Sequence, residues 1–390
     1  RFATRRYGRA AGLTAAAGLV LMPRVFGHAH FASLETAVGL FYAATALTVA
    51  GRWRPPEAIP PRAALVGGIL WGLALLSKVQ AVLLPVPIAL WALWHWRLRA
   101  VLPLAVFGAA GATVFFVGWP WLWLDPVDHL LEYLGRTTDR ISLPVWYLGR
   151  VFADTAVPWH YPFVLFAVTV PVGLHALGVL GLAGRLDPDE RPGWHDPAVQ
   201  LLVACLAFPL LLFAVPGVAV YDGARLFLVS FPLWAVLVGR GGGIVWQWLR
   251  VKRSPRFATV TLAFLIATQA YGLVTYRPTY LSYYNLLVGG LAGAERLGFE
   301  PTYWGDSVTA GLLDAAAESV PQGGTLAVAP VLHQFQLGEL LAQSPALRRR
   351  DVRLVEHRPE NAEGADALLV FFRRSSLPEE LRRLADAEPV

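Results

Sequence analysis

Apolar runs separated by short polar connections fill the first 276 positions of this chain, at 10–25, 30–50, 63–78, 80–95, 100–118, 161–183, 198–219, 224–239 and 257–276. A bilayer-spanning helix needs about 20 mostly apolar residues, because lipid offers its backbone no hydrogen-bond partner. The pattern therefore predicts an all-α polytopic bundle of about nine transmembrane helices, of which the first and eighth are short. The third and fourth runs meet at a polar hinge over 77–80, which predicts a tight hairpin. The connection 119–160 is a long loop. From about 277 the apolar segments shorten: 325–330, 352–355 and 367–372 read as strands, with helical pieces at 308–319 and 336–341. The span 277–390 thus predicts a small α/β domain. Gly323-Gly324 reads as a turn before a strand and not as a phosphate loop.

Composition supports a membrane solvent. Of 390 residues, 56% are hydrophobic and 15% charged, against roughly 25% charged in soluble domains. Fifteen Trp and 29 Pro fit the same reading, since Trp favours bilayer interfaces and spanning helices tolerate Pro. The net charge of +6 does not indicate nucleic acid, because the basic residues sit in short loops between apolar runs. Cys205 is the single cysteine, in an apolar run, so there is no disulfide framework. The stretch from Arg1 to Arg9 reads like an internal cytoplasmic loop, so the expectation is a fragment of a longer chain.

Counting Lys and Arg in the connections sets an orientation. One side carries Arg1, Arg5, Arg6 and Arg9, then Arg52, Arg54 and Arg62, Arg97 and Arg99, Arg185 and Arg191, and the dense group from Arg240 to Arg256. That side is predicted cytoplasmic. The opposite connections and the 277–390 tail are then extracytoplasmic.

Ionisable residues beside membrane spans are costly, so each is a functional candidate. They gather at the predicted outer ends: Arg24, His28 and His30 after the first run, Glu35 at the start of the second, Lys78 in the hinge, Asp125 after a Trp-rich stretch, Trp159-His160-Tyr161, and Tyr221 with Arg225. Cations, carboxylates and aromatics at one membrane face suit an amphiphile with a polar head and lipid tail. Trp rings can stack on sugars, and Lys or Arg can hold a phosphate. Structural readings stand beside these: Trp119, Trp121 and Trp123 as an interfacial belt, Arg24 and Arg225 as snorkelling anchors, and Glu35 as a structural partner of Arg24. His28 and His30 at i, i+2 are a weak metal signal, and no metal or other cofactor is required by the residues.

Several segments resemble bacterial glycosyltransferase family 39, within the GT-C membrane glycosyltransferases that include protein O-mannosyltransferases and the lipid A aminoarabinose transferase. They are 23–31 continuing to Glu35, 72–78 ending in Ser77-Lys78, 158–162, 221–227, 281–285 and 303–306, and they cover nearly the whole chain in order. The resemblance implies transfer of a sugar from a polyprenyl-phosphate donor to a glycan, lipid or protein acceptor outside a bacterial cytoplasmic membrane. It also implies a catalytic carboxylate, an Asp or Asp-Glu pair acting as general base, in a first outer loop that would lie upstream of Arg1. Glu35 corresponds to a second acidic position where the family usually has Asp. Lys78 and Arg225 match cations near the lipid phosphate, and Trp159, His160 and Tyr161 part of a sugar pocket. On this reading the 390-residue piece alone is expected to be inactive. Two other classes stay open: a transporter or flippase of an amphiphile, which would favour charged or broken helices at mid-membrane, and a non-catalytic membrane assembly protein.

Overall fold

The computed structural model describes the chain apart from residues 32, 136–140, 188, 190, 359, 361–363 and 388–390; part of the long 119–160 loop therefore lies outside the described residues. About 65% of the chain is helical, with a few small sheets. Among the described residues four stretches are long and apolar enough to cross a membrane, Leu34–Arg52, Val79–Gly118, Arg225–Lys252 and Pro255–Thr275, or five if the bent pair Tyr161–Thr169 and Val172–Ala183 is one span. Shorter apolar helices run over Arg9–Val20, Pro61–Ser77 and Pro197–Leu212. Large apolar side chains face outward on all four, among them Leu40, Leu90, Trp94, Leu102, Val251, Val260 and Phe264. Such a surface suits lipid and not water.

The centre of the bundle is helix Phe231–Lys252, which packs against Arg9–Val20 on one side and Val172–Ala183 on another. Glycine permits the contact. A Cβ on Gly181 would stand 1.9 Å from the Leu237 carbonyl oxygen, and one on Gly241 1.9 Å from that of Leu177. Backbones therefore touch directly, as small residues allow between membrane helices.

Three sequence expectations are corrected here. The run 161–183 is two helices, Tyr161–Thr169 and Val172–Ala183, bent by 111°. Pro171 has no N–H and disfavours helical backbone at Val170. Asn285 satisfies the break: its Nδ2 donates to the Ala167 and Val170 carbonyls at 2.7 Å each, and its backbone N–H to Val168. The eighth run does not end at 239. Its helix continues through Gly241–Gly243 to Lys252, and Arg240, read as part of a cytoplasmic loop, is buried inside the bundle. Finally, Pro61–Ser77 packs mainly against Leu34–Arg52 and Val101–Gly118, so the Lys78 hinge does not produce a hairpin of adjacent partners.

The long loop carries helices Trp121–Leu124 and Pro126–Gly135 and an antiparallel hairpin, β1 (Pro144–Tyr147) with β2 (Arg150–Ala153). Its turn is Leu148-Gly149, both with positive φ. In the tail, β3 (Thr325–Ala329) lies between β4 (Arg353–Glu356) and β5 (Ala367–Val370) in a parallel sheet of order β4-β3-β5. Helices Ala310–Glu318 and Gln336–Gln343 accompany it. A separate apolar cluster around Leu313, Val328 and Leu347 holds this layer together.

Candidate functional site

The candidate site is built around one carboxylate. Glu35 lies in the first turn of Leu34–Arg52, where the helix dipole favours negative charge. It is buried, and its Oε1 accepts hydrogen bonds from Lys78 Nζ at 2.6 Å and Arg225 Nε at 2.7 Å. Lys78 reaches it because the backbone turns extended after Ser77 (φ −165, ψ 143), which ends the helix and redirects the chain. Arg225 begins a 3₁₀ segment, Arg225–Ser230, after a turn in which Asp222 and Gly223 both have positive φ. Gly223 is required twice over, since a Cβ there would also meet the Tyr303 ring at 2.8 Å.

A second carboxylate extends the cluster. Asp222 Oδ2 accepts from Arg225 Nη1 at 2.9 Å and from the Trp304 indole at 3.1 Å, while Oδ1 accepts from Arg373 Nη2 at 3.0 Å. Arg373 also donates to the Tyr303 carbonyl. The Arg225 guanidinium lies 4.6 Å over the Trp304 ring. His28 completes this wall, with Nε2 2.9 Å from the Tyr303 hydroxyl and its ring edge-on to Trp304. Burial pushes the His28 pKa down to about 4, so the imidazole is neutral near pH 7.

Glu35, Lys78, Arg225 and Trp304, with Phe31, Ser33 and Leu34, line a cavity of about 340 Å³. Leu34 and Lys78 also line a second, more apolar cavity of about 440 Å³ beside Leu75, Phe115, Trp119 and Tyr133. A cationic, aromatic-walled cavity therefore adjoins an apolar one. Lys78, Arg225 and Arg373 outnumber the two carboxylates, so the cluster favours an anion.

The other expected site residues divide. Arg24 is fully buried, but it does not pair with Glu35: its Nε donates to the Tyr283 carbonyl at 3.3 Å, and the guanidinium lies 4.7 Å over Tyr284. Its Nη1 and Nη2 have no hydrogen-bond partner among the described residues. This also corrects the snorkelling reading, because the side chain is enclosed. Arg225 is no free anchor either, being held by two carboxylates. Tyr161 is buried and lines a small crevice with Asp222, Tyr303 and Arg373. Tyr221 lies beside the Arg225 guanidinium, 5.9 Å from ring centre to carbon.

Arg24, His28, Tyr161 and Tyr221 stand behind the cavity wall, and four further residues show no contact with this cluster among the described residues. His30 is exposed and bonds the Phe26 carbonyl, which separates it from His28. Asp125 is exposed beyond Trp121–Leu124, without a side-chain partner among the described residues. Trp159 is largely exposed, and His160 pairs with the Tyr147 hydroxyl at 2.8 Å. The loop hairpin, which the pattern of apolar runs does not predict, supplies the Tyr147 hydroxyl that holds His160.

Arg373 is the contributor that the sequence reading missed. It follows a strand far from the apolar runs, and its one signal is a paired Arg373-Arg374 at the end of β5. Among the described residues no three His, Cys, Asp or Glu side chains converge as a metal site would need. No protein-family model, curated protein or solved structure matches the chain.

Proposed function

We propose that the chain is part of a membrane glycosyltransferase that takes a sugar from a polyprenyl-phosphate donor and gives it to an extracytoplasmic glycan, lipid or protein. The observation that carries this reading is the sharing of Glu35 by Lys78 and Arg225 in the wall of a cavity beside an apolar one. In the reaction an acceptor hydroxyl oxygen bonds the anomeric carbon as the bond from that carbon to the phosphate oxygen breaks. The electron pair leaves with the lipid phosphate, and the hydroxyl proton passes to the separate general-base carboxylate that the resemblance implies. Lys78 and Arg225 stabilise the charge that grows there, the larger electrostatic task of the step. Glu35 keeps the two cations apart and aimed. Held by both, it is a poor proton acceptor, so its role is positioning. Trp304 offers a ring face beside Arg225 for the sugar.

The topology that goes with this function has about nine spans in a bacterial cytoplasmic membrane, with the Glu35 end and the 277–390 α/β layer outside. The test is retention of undecaprenyl phosphate by the purified chain, followed by native mass spectrometry. Lys78→Ala is expected to weaken retention at least tenfold with unchanged elution on gel filtration. Unchanged retention sinks the assignment.

The transporter reading keeps one specific support, the 111° break at Val170-Pro171 together with Arg240 buried within its helix. Flux of a fluorescent polyprenyl phosphate across vesicles containing the chain, abolished by Arg240→Leu, would favour it.

A further inference from the structure

Glu35 and Arg52 stand at opposite ends of one helix, about 25 Å apart at 1.5 Å per residue. At the Arg52 end lies a large cavity of about 1180 Å³, lined by Arg1, Arg5, Arg6, Arg52, Arg54, Arg191 and Arg240. Asp196 is the single carboxylate among the described residues of that lining, and it is taken by Arg6 in a two-point pair at 2.7 and 3.2 Å. Among the described residues none of Arg5, Arg52, Arg54 and Arg191 forms an ion pair. Arg240, 2% exposed, reaches into the lining from the bundle core. Its Nη1 donates to the Gly181 and Gly184 carbonyls, while its Nε has no partner.

Five exposed arginines that form no ion pair among the described residues, these four and Arg1, stand around the buried Arg240, and together they concentrate a positive potential that draws an anion. The cavity also continues into an apolar groove of about 760 Å³, formed by Leu13, Ala17, Trp246, Leu262, Ala263 and Ile266. Arg6, Tyr7 and Leu186 line both. Cationic head space joined to apolar tail space, at the end of membrane-length helices, has the chemistry of one ligand class.

We propose that this cavity and groove bind an anionic phospholipid, its phosphate among the arginines and an acyl chain along the groove. The site is separate from the Glu35 cavity and independent of any sugar chemistry. It rests only on the chain being a membrane protein.

The test is native mass spectrometry of the purified full chain with phosphatidylglycerol, phosphatidylcholine and glycerol phosphate as probes. Phosphatidylglycerol is expected to bind at least tenfold more tightly than either of the others. The double variant Arg54→Gln/Arg191→Gln, both exposed positions, loses that preference. Arg250→Gln/Arg253→Gln removes the same charge outside the cavity and keeps it. Ala263→Trp, which fills the groove, weakens phosphatidylglycerol and leaves glycerol phosphate unchanged. Equal binding of the two lipids overturns the proposal, as does an equal loss in the two double variants. Glycerol phosphate binding as tightly as phosphatidylglycerol overturns it too, because the anion would then be a soluble phosphate and not a lipid.

Discussion

Arg373 donates to Asp222 at 3.0 Å across 151 positions of sequence, tying the end of β5 to the turn before the longest buried helix. Because Asp222 also holds Arg225, this carboxylate couples the tail to the Glu35 cluster, alongside the Trp304 ring under the Arg225 guanidinium. Replacing Arg373 with Ala leaves Asp222 its other two donors, so the expected cost is about 1–3 kcal/mol. Limited proteolysis should cut the 295–390 segment at least tenfold faster in this variant. An unchanged cleavage rate would show that the tail is held by other contacts.

Glu35→Gln leaves Lys78 and Arg225 facing each other across a buried position. Breaking a buried pair costs about 3–5 kcal/mol, and the partial exposure of both cations reduces this to about 2–3. Adding Lys78→Met should recover part of the loss. A double-mutant cycle on thermal stability reads the coupling, and strict additivity would deny that the two share one network.

Asn285→Leu removes both side-chain donors that satisfy the Ala167 and Val170 carbonyls. Unsatisfied buried carbonyls cost about 1–3 kcal/mol each. The Tm in detergent should fall by several degrees, and Asn285→Asp, which also cannot donate, should not restore it.

Gly181→Leu pushes a side chain into the Leu237 carbonyl, where no flexible atom can yield. Overpacking of this kind costs about 1–3 kcal/mol even where repacking is possible, so loss of the monodisperse species is expected. Gly311→Ala is the control. Its Cβ would meet nothing closer than 4.0 Å in a solvent-facing helix, and stability should hold or rise slightly.

Glu300 is half-buried with its Oε1 enclosed, and this desolvation raises its pKa to about 7 although its Oε2 accepts from the Ser375 N–H. Its folded value lies above the ordinary one of about 4.3. The stabilisation is therefore full below pH 4 and is lost as pH rises through about 7. Thermal stability should decline between pH 5 and 8, and Glu300→Gln should flatten that decline. A variant with the same slope as the parent would show that another group titrates.

Much of the helical plan could be read directly, because an apolar run of membrane length has few alternatives. The stretches containing Leu34–Arg52 and Pro255–Thr275 are of this kind, and the strands of the tail were legible from their short apolar segments instead. Glu35, Lys78 and Arg225 were legible for a related reason: a charge bordering an apolar run is too costly to be incidental.

The sequence reading failed where one element depended on a distant one. Arg240 marked a loop until packing against Gly181 and Gly184 enclosed it, and run 161–183 read as one span until Asn285 supplied the bonds that Pro171 removes.

Hydropathy and composition along the chain call for long apolar helices compatible with a membrane, and they place most of the candidate polar residues at the ends of the apolar runs. Which of those residues meet follows from how the helices pack. Hydrophobic period and composition are local properties, whereas an ion pair depends on where two backbones cross. Glu35 with Lys78 and Arg225, Asp222 with Arg373, and Arg24 enclosed by tyrosines are settled by helix packing and by turns such as Asp222-Gly223.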